Sequence, residues 1–305
     1  MCETLDNAIK YGLDFINKGN TASYIPELRK VDPHQLGISI LQSDGSSLSS
    51  GDYDRKFTIQ SISKTVALML ALMDRGQEYV FDKVGMEPTG DAFNSIIKLE
   101  IRQPSIPLNP MINAGAIAID SLIEGNDINH KFNRLICFFR KICHNDSLWY
   151  NEKVYLSEKA TGFRNRALAN FIKDSGVLEG EVEEVLDLYF KQCSIEIDCR
   201  DIAMLGAVLA MDGISPITGK TLISKNICRI VKTLMVTCGM YDASGEFSIK
   251  VGIPAKSGVG GGIMAAVPGK MGIGVFGPAL DKKGNSIGGI KVLEYLSCEM
   301  DLNIF

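Results

Sequence analysis

From Thr65 to Met73 the chain reads Thr-Val-Ala-Leu-Met-Leu-Ala-Leu-Met, almost without a polar interruption. A helix that is apolar on every side has no face to offer water, so the fold must be built around it. Asp74-Arg75-Gly76 follows and supplies a stop, with glycine at the C′ position. At its other end stands Ser61-Ile62-Ser63-Lys64. Positions i and i+3 share a helix face, which places Lys64 one turn above Ser61 and within reach of its hydroxyl. A serine in the first turn also meets unpaired backbone N–H groups and the positive end of the helix dipole. Ser63 competes for the N-cap role, and a serine ahead of an apolar run is most often just a cap.

The second half of the pattern lies about two hundred residues away, at Lys256-Ser257-Gly258-Val259-Gly260. Ser-x-x-Lys with a distant Lys-Ser/Thr-Gly is how penicillin-recognising acyl-transfer enzymes arrange nucleophile, amine and oxyanion strand. Lys64 can act as a base at neutral pH only if burial lowers its ordinary pKa of about 10.4. The N–H groups of Ser61 and Val259 are then the expected oxyanion donors. Gly260-Gly261-Gly262 allows close backbone approach, although Gly261 and Gly262 are read first as a bulge or tight turn.

Strand patterns at both chain ends bracket a helical middle. An amphipathic helix is expected over 5–18. A strand over 36–42 turns at Ser43-Asp44-Gly45 toward a second near 55–59, a hairpin leading into Ser61. Pro104, Pro107 and Pro110 mark a loop before Met111. Helices are expected over 157–173, 181–193, 198–211 and 224–237, strands over 247–252, 262–267 and 271–276, and a final helix from about 287. This is an α+β chain with one sheet drawn from both ends (1–60 and 239–305) and an inserted, mainly helical lobe (61–238). Ser61 and Lys256 then face a shared cleft.

Several functions are excluded by composition. A net charge of −4, with no stripe of Lys or Arg, gives nucleic acid no footprint. No apolar stretch is long enough to span a membrane, and the acidic start Met1-Cys2-Glu3 is unlike a signal peptide. A cytoplasmic protein is expected. The eight cysteines form no CxxC pair, and His34, His130 and His144 no HxxxH arrangement, so reduced thiols and no metal are expected, with His144 read as an exposed loop histidine. Thr218-Gly219-Lys220-Thr221 ends like a phosphate loop. Its preceding glycine, Gly213, is one residue too far away and Pro216 intervenes, so Asp212-Gly213 and Thr218-Gly219 are read as turns.

Six segments in order carry a family resemblance: Phe57-Thr-Ile-Gln-Ser61-Ile-Ser-Lys64, Asn109-Pro-Met-Ile-Asn113-Ala-Gly-Ala, Ser157-Glu158 through Arg164-Asn165, Asp187-Leu-Tyr189-Phe, Cys238-Gly-Met-Tyr241-Asp, and Pro254-Ala-Lys-Ser-Gly-Val259. Together, from about Tyr24 to Ser286, they resemble the serine-dependent glutaminase family. The resemblance implies an antiparallel, helix-flanked sheet similar to that of β-lactamases and DD-peptidases, cofactor-free hydrolysis of L-glutamine to L-glutamate and ammonia, and a homo-oligomer, dimer or tetramer. Carried over by position, Ser61 is the nucleophile, Lys64 its proton acceptor, Tyr241 a proton donor to departing ammonia, and Val259 an oxyanion donor. Tyr24, Asn113, Glu158, Asn165 and Tyr189 complete the substrate pocket with Ser61, Tyr241 and Val259. Glu158 suits the substrate α-ammonium and is expected seven residues from Asn165 on one helix face, behind an N-cap at Ser157. Read without the resemblance, Glu158 is a first-turn partner of the helix dipole and Tyr189 a core aromatic.

No Ser-Asp-Asn or Tyr-x-Asn motif and no deacylating glutamate stand where penicillin-binding enzymes keep them. The base for the deacylating water is left between Lys64 and a tyrosine. The alternatives are a same-fold amidase or esterase on another substrate, or an amino-acid-binding protein without turnover.

Overall fold

The computed structural model describes residues 2–101 and 105–305, so Pro104 lies outside the described residues, while Pro107 and Pro110 do lie in a loop. Helix α1 (Cys2–Leu13) buries Leu5, Ala8 and Ile9, as their spacing predicts. It ends earlier than expected, and a separate 3-10 turn covers Ile16–Lys18.

Strand β1 (Gly37–Gln42) forms its hairpin with β2 (Ser47–Gly51), not with the stretch near 55–59. The Asp44 carboxylate accepts the Ser46 N–H at 2.9 Å, and that tight turn sends the chain straight back. The later stretch holds β3 (Phe57–Thr58), which pairs with β4 (Glu196–Ile197) in a small separate sheet. Helix α2 (Ser63–Lys83) is buried without a break from Ser63 to Leu72, as an all-round apolar sequence requires. Its expected stop at Gly76 is a kink instead, with φ 77° and ψ 163°, beyond which the helix resumes.

The middle of the chain is helical: α3 (Ile97–Ile101), α4 (Asn113–Leu122), α5 (Ile128–Cys143), α6 (Glu152–Thr161), α7 (Phe163–Asp174), α8 (Val182–Cys193), α9 (Cys199–Ala210) and α10 (Lys225–Cys238). The helix expected over 157–173 is therefore two. It breaks at Gly162, where a Cβ would lie 2.6 Å from the Phe190 ring. The first of the two is capped by Asn151, whose side chain accepts the Val154 N–H, and not by Ser157.

The strand expected over 247–252 is also corrected. Phe247, Ile249 and Val251 alternate like a strand, but the segment forms α11 (Ser244–Lys250), which buries Phe247, with Val251 buried at its end, and leaves Ile249 83% exposed. Residues four apart, not two, share the buried side. Strands β5 (Ala255–Ser257), β6 (Gly262–Val267) and β7 (Met271–Phe276) then lead to α12 (Ile287–Glu299).

One antiparallel sheet runs in the order β2-β1-β7-β6-β5, so the two chain ends meet at the β1–β7 pair. Ile38, Ile40, Ile263, Ile273 and Val275 point to one face and form a core with Leu5 and Ile9 of α1 and Val292, Leu293 and Leu296 of α12. Each such side chain contributes about 1.5–3 kcal/mol when fully buried. The other face receives α9. There Gly272 and Gly274 let the helix lie against the sheet, since a Cβ on either would come within 2.2 Å of α9 backbone.

Candidate active site

The backbone around Ser61 is set before its side chain matters. The N–H of Ile59 donates to Ile195 at 2.9 Å, continuing the β3–β4 pairing up to the turn. Gln60 then takes φ 50°, a left-handed conformation uncommon for a residue with a side chain. Ser61 thus lies in a 3-10 turn (Gln60–Ile62) just ahead of α2, and not in the first turn of the α-helix. The Ser63 hydroxyl donates to the Gln60 carbonyl at 2.7 Å, which gives Ser63 a structural task and leaves the Ser61 hydroxyl facing the site.

The Lys256–Gly262 segment rides directly on this turn. A Cβ on Gly258 would lie 2.6 Å from the Ile59 carbonyl oxygen, and one on Gly260 2.4 Å from that of Thr58. Only glycine at both positions lets Val259 come this close. Gly261 does turn, with φ 98°, while Gly262 opens β6.

Lys64 is 1% exposed and donates to the Met111 carbonyl at 3.2 Å and to Asn113 Oδ1 at 2.7 Å. Desolvation pulls its pKa down to about 8, opposed by the charges of Asp120 and Glu158. Asn113 Nδ2 donates in turn to Asn165 Oδ1 at 2.9 Å. The turn presenting these groups is held by the fully buried Asn109, whose Oδ1 accepts the N–H groups of Met111 and Ile112 at 3.0 and 3.2 Å.

Tyr241 sits in a 3-10 turn at φ 55°, held by Ser244, whose hydroxyl donates to the Tyr241 carbonyl at 2.8 Å. Its phenol donates to the Ser257 carbonyl at 3.1 Å. Burial raises the phenol pKa, while the side chains of Ser61 and Ser257 and the Val259 N–H, near the same oxygen, act against that rise. The buried Lys256 places its Nζ 4.5 Å from the Tyr241 ring centroid and donates to the carbonyls of Gly239 and Ser257 at 3.2 and 2.7 Å. Its pKa falls through desolvation and the nearby Lys64 charge.

Glu158 is 6% exposed, and its Oε2 has no hydrogen-bond partner. Desolvation pushes its pKa up to about 8, against the pull of the Gln60 amide and Lys64. Glu158 and Asn165 fall on α6 and α7, so they do not share one helix face. Tyr189 is buried on α8, where burial, Cys193 and Glu158 raise its phenol pKa. Tyr24 is half exposed as a residue, and desolvation of its phenol, then Glu158 and Tyr241, raise its pKa. Its ring stands with Phe93, Val259 and Gly284 on the wall of a 390 Å³ cavity.

Every residue singled out from the sequence therefore belongs to one connected set of contacts and charges. Sequence reasoning missed Gln60 and Asn109 as parts of it, although each lies inside a quoted motif, while Lys256, expected at the same cleft as Ser61, is buried against the Tyr241 ring. Asp212 and Gly213 turn with φ 53° and 93°, and Gly219 with φ 68°. His144 is exposed at the end of α5, 2.9 Å from the Ser215 hydroxyl. All eight cysteines are free thiols. Among the described residues, no helix is long and apolar enough to cross a membrane, and no group of three or more His, Cys, Asp or Glu is placed to hold a metal ion.

A buried serine, a desolvated amine, the Val259 N–H and an orphan carboxylate are the kinds of group that acyl transfer on a substrate with a cationic end requires. A family model described as Glutaminase matches residues 19–305. "Glutaminase 2" of Clostridium perfringens is 57% identical over 301 residues, 99% of each chain. A solved probable glutaminase of Bacillus subtilis superposes with a TM-score of 0.94 at 43% identity, over 100% of this chain and 97% of its own. The covalent complex of a Bacillus subtilis glutaminase with 5-oxo-L-norleucine, formed by reaction with 6-diazo-5-oxo-L-norleucine, superposes with a TM-score of 0.92 at 42% identity, over 100% and 99%.

Proposed function

The chain belongs to the glutaminase family and hydrolyses L-glutamine to L-glutamate and ammonia, and we propose that it does so through an acyl-enzyme on Ser61. The observation that carries this reading is that the Ser61 hydroxyl and the Val259 N–H both lie near the Tyr241 phenol, together with a buried, desolvated Lys64.

In the first half-reaction Ser61 Oγ bonds to the side-chain amide carbon, and its proton passes to Lys64. The N–H groups of Ser61 and Val259 hold the oxyanion. Collapse breaks the C–N bond, and ammonia leaves with a proton delivered by Tyr241, which Lys64 replenishes. In the second half-reaction water attacks the ester and gives a proton to Lys64, then the bond from the acyl carbon to Ser61 Oγ breaks as Lys64 returns that proton to Oγ, and glutamate leaves. Lys64 is assigned as that base because it follows Ser61 by three residues and desolvation lowers its pKa to about 8. Tyr241, with its raised pKa, stays protonated and serves as the donor.

In this reading the orphan oxygen of Glu158 receives the substrate α-ammonium, and Asn113, Asn165, Tyr24 and Tyr189 offer amide and phenol groups to the α-carboxylate. The reaction draws on no cofactor. The sheet lobe (1–60 and 239–305) and the helical lobe (61–238) act as one catalytic unit, which works in the cytoplasm as a homo-oligomer, dimer or tetramer, without nucleic acid or membrane.

The test is ammonia release by the purified protein from L-glutamine, with L-asparagine as second substrate and Ser61→Ala as control. Glutamine turnover lost in the variant, with little asparagine turnover, supports the reading. No ammonia from folded wild-type protein sinks it.

A further inference from the structure

One fully buried lysine takes no part in the steps above. Lys256 lies on β5, and its amine donates to two main-chain carbonyls, that of Gly239 at 3.2 Å and that of Ser257 at 2.7 Å. Neither carbonyl needs the lysine in order to be satisfied. The Gly239 oxygen also accepts the Ser257 N–H at 3.1 Å, and the Ser257 oxygen also accepts the Tyr241 phenol at 3.1 Å. An amine is costly to bury where an unbranched apolar side chain such as methionine would fill the same space. What the amine adds is a link between the residue that ends α10 and the residue that receives the phenol.

The link passes by Tyr241. Nζ of Lys256 stands 4.5 Å from the centroid of the Tyr241 ring, within the range of an amine held against an aromatic face. Tyr241 itself holds φ 55°, a conformation that a bulky side chain keeps only where its surroundings enforce it. Two residues earlier, Gly239 meets β5 so closely that a Cβ there would lie 1.8 Å from the Ala255 carbonyl oxygen. The turn has other braces: Ser244 Oγ accepts the Met240 N–H at 3.1 Å, and Asn285 Nδ2 donates to the Met240 carbonyl at 3.3 Å. Those two hold the backbone ahead of the tyrosine. Lys256 reaches both the ring and the carbonyl that aims its hydroxyl.

We infer that Lys256 is a positioning residue for the glutaminase reaction: its amine braces the Tyr241 ring and the Ser257 carbonyl together, and so fixes where the phenol stands when it gives up its proton. The inference rests on Tyr241 being the donor to departing ammonia. Lys256 acts through the tyrosine, so its effect disappears when the phenol is absent.

The test is a double-mutant cycle on L-glutamine turnover with Lys256→Met and Tyr241→Phe. Lys256→Met alone is expected to lower kcat about tenfold or more, with KM within about twofold of the wild type. Added to Tyr241→Phe, it lowers kcat by less than about threefold, because the phenol it would misplace is already gone. Losses that multiply overturn the inference, and so does a loss confined to KM. A second measurement stands should Lys256→Met not fold. In protein labelled with ¹³C at lysine Cε, one ε-methylene signal is expected to be displaced by the Tyr241 ring current and to lose that displacement in Tyr241→Leu. If no lysine signal answers to that substitution, the brace is refuted. Wild-type kcat in Tyr241→Phe sinks the donor reading itself, and the inference with it.

Discussion

Lys64 donates to Oδ1 of Asn113 at 2.7 Å, and this one bond fixes the direction of the Asn113 amide. With its oxygen committed to the amine, Asn113 has only its Nδ2 to offer, and that group reaches Asn165. Base and pocket are thereby tied together. Asn113→Asp places a carboxylate against Lys64, raises the lysine pKa above about 8 and shifts the acidic limb of kcat/KM to higher pH. A pH–rate series comparing the two proteins checks the sign, and a shift to lower pH refutes the coupling.

Ser61→Ala removes the nucleophile and leaves a buried site of the same shape. Turnover of L-glutamine falls at least about a thousandfold, while the far-UV spectrum and thermal midpoint stay close to those of the wild type. Activity within tenfold of the wild type sinks the assignment.

Tyr241→Phe keeps the ring that packs against Phe93 and Lys256 but removes the phenol that meets Ser61 and Val259. The loss falls on kcat, by about a hundredfold or more, with KM little changed. Steady-state kinetics separate the two parameters, and a loss confined to KM assigns the tyrosine to binding.

Glu158→Gln removes the partner proposed for the α-ammonium and lowers kcat/KM for L-glutamine by about 10- to 100-fold. An unchanged value returns Glu158 to a structural role.

The same carboxyl makes a stability prediction. Its folded pKa, about 8, lies above its ordinary value of 4.5, so between those pH values the folded protein holds a proton that the unfolded chain has released. The contribution of Glu158 to stability is present below pH 4.5 and is lost as pH rises toward 8. Thermal midpoints measured from pH 5 to 8 should therefore decline less in Glu158→Gln than in the wild type. Parallel slopes count against the raised pKa.

Much of this was legible from residue spacing. The apolar run of α2, the pair Ser61 and Lys64, and the Lys256–Val259 segment announced a buried helix with an acyl-transfer site at its mouth. The errors have local causes. Phe247, Ile249 and Val251 alternate like a strand, but a helix that buries Phe247 and leaves Ile249 in water satisfies the same pattern. The break at Gly162 depends on the Phe190 ring, a neighbour distant in sequence. Asn109 and Gln60 were passed over because their work is done through backbone groups: one gathers two N–H groups, and the other takes a left-handed turn.

The meeting of the chain ends at the β1–β7 pair also bears on how the protein is made. A ribosome that has released Ser61 and the helices after it has not yet supplied Val259, and a nascent chain halted before residue 255 holds the proposed nucleophile with only one of its two proposed oxyanion donors. Chains grow at about 5–20 residues per second. For roughly ten seconds or more of synthesis, a chain that can already bury α2 has no competent site. Abortive products of translation are thus expected to be inert toward the cell's glutamine.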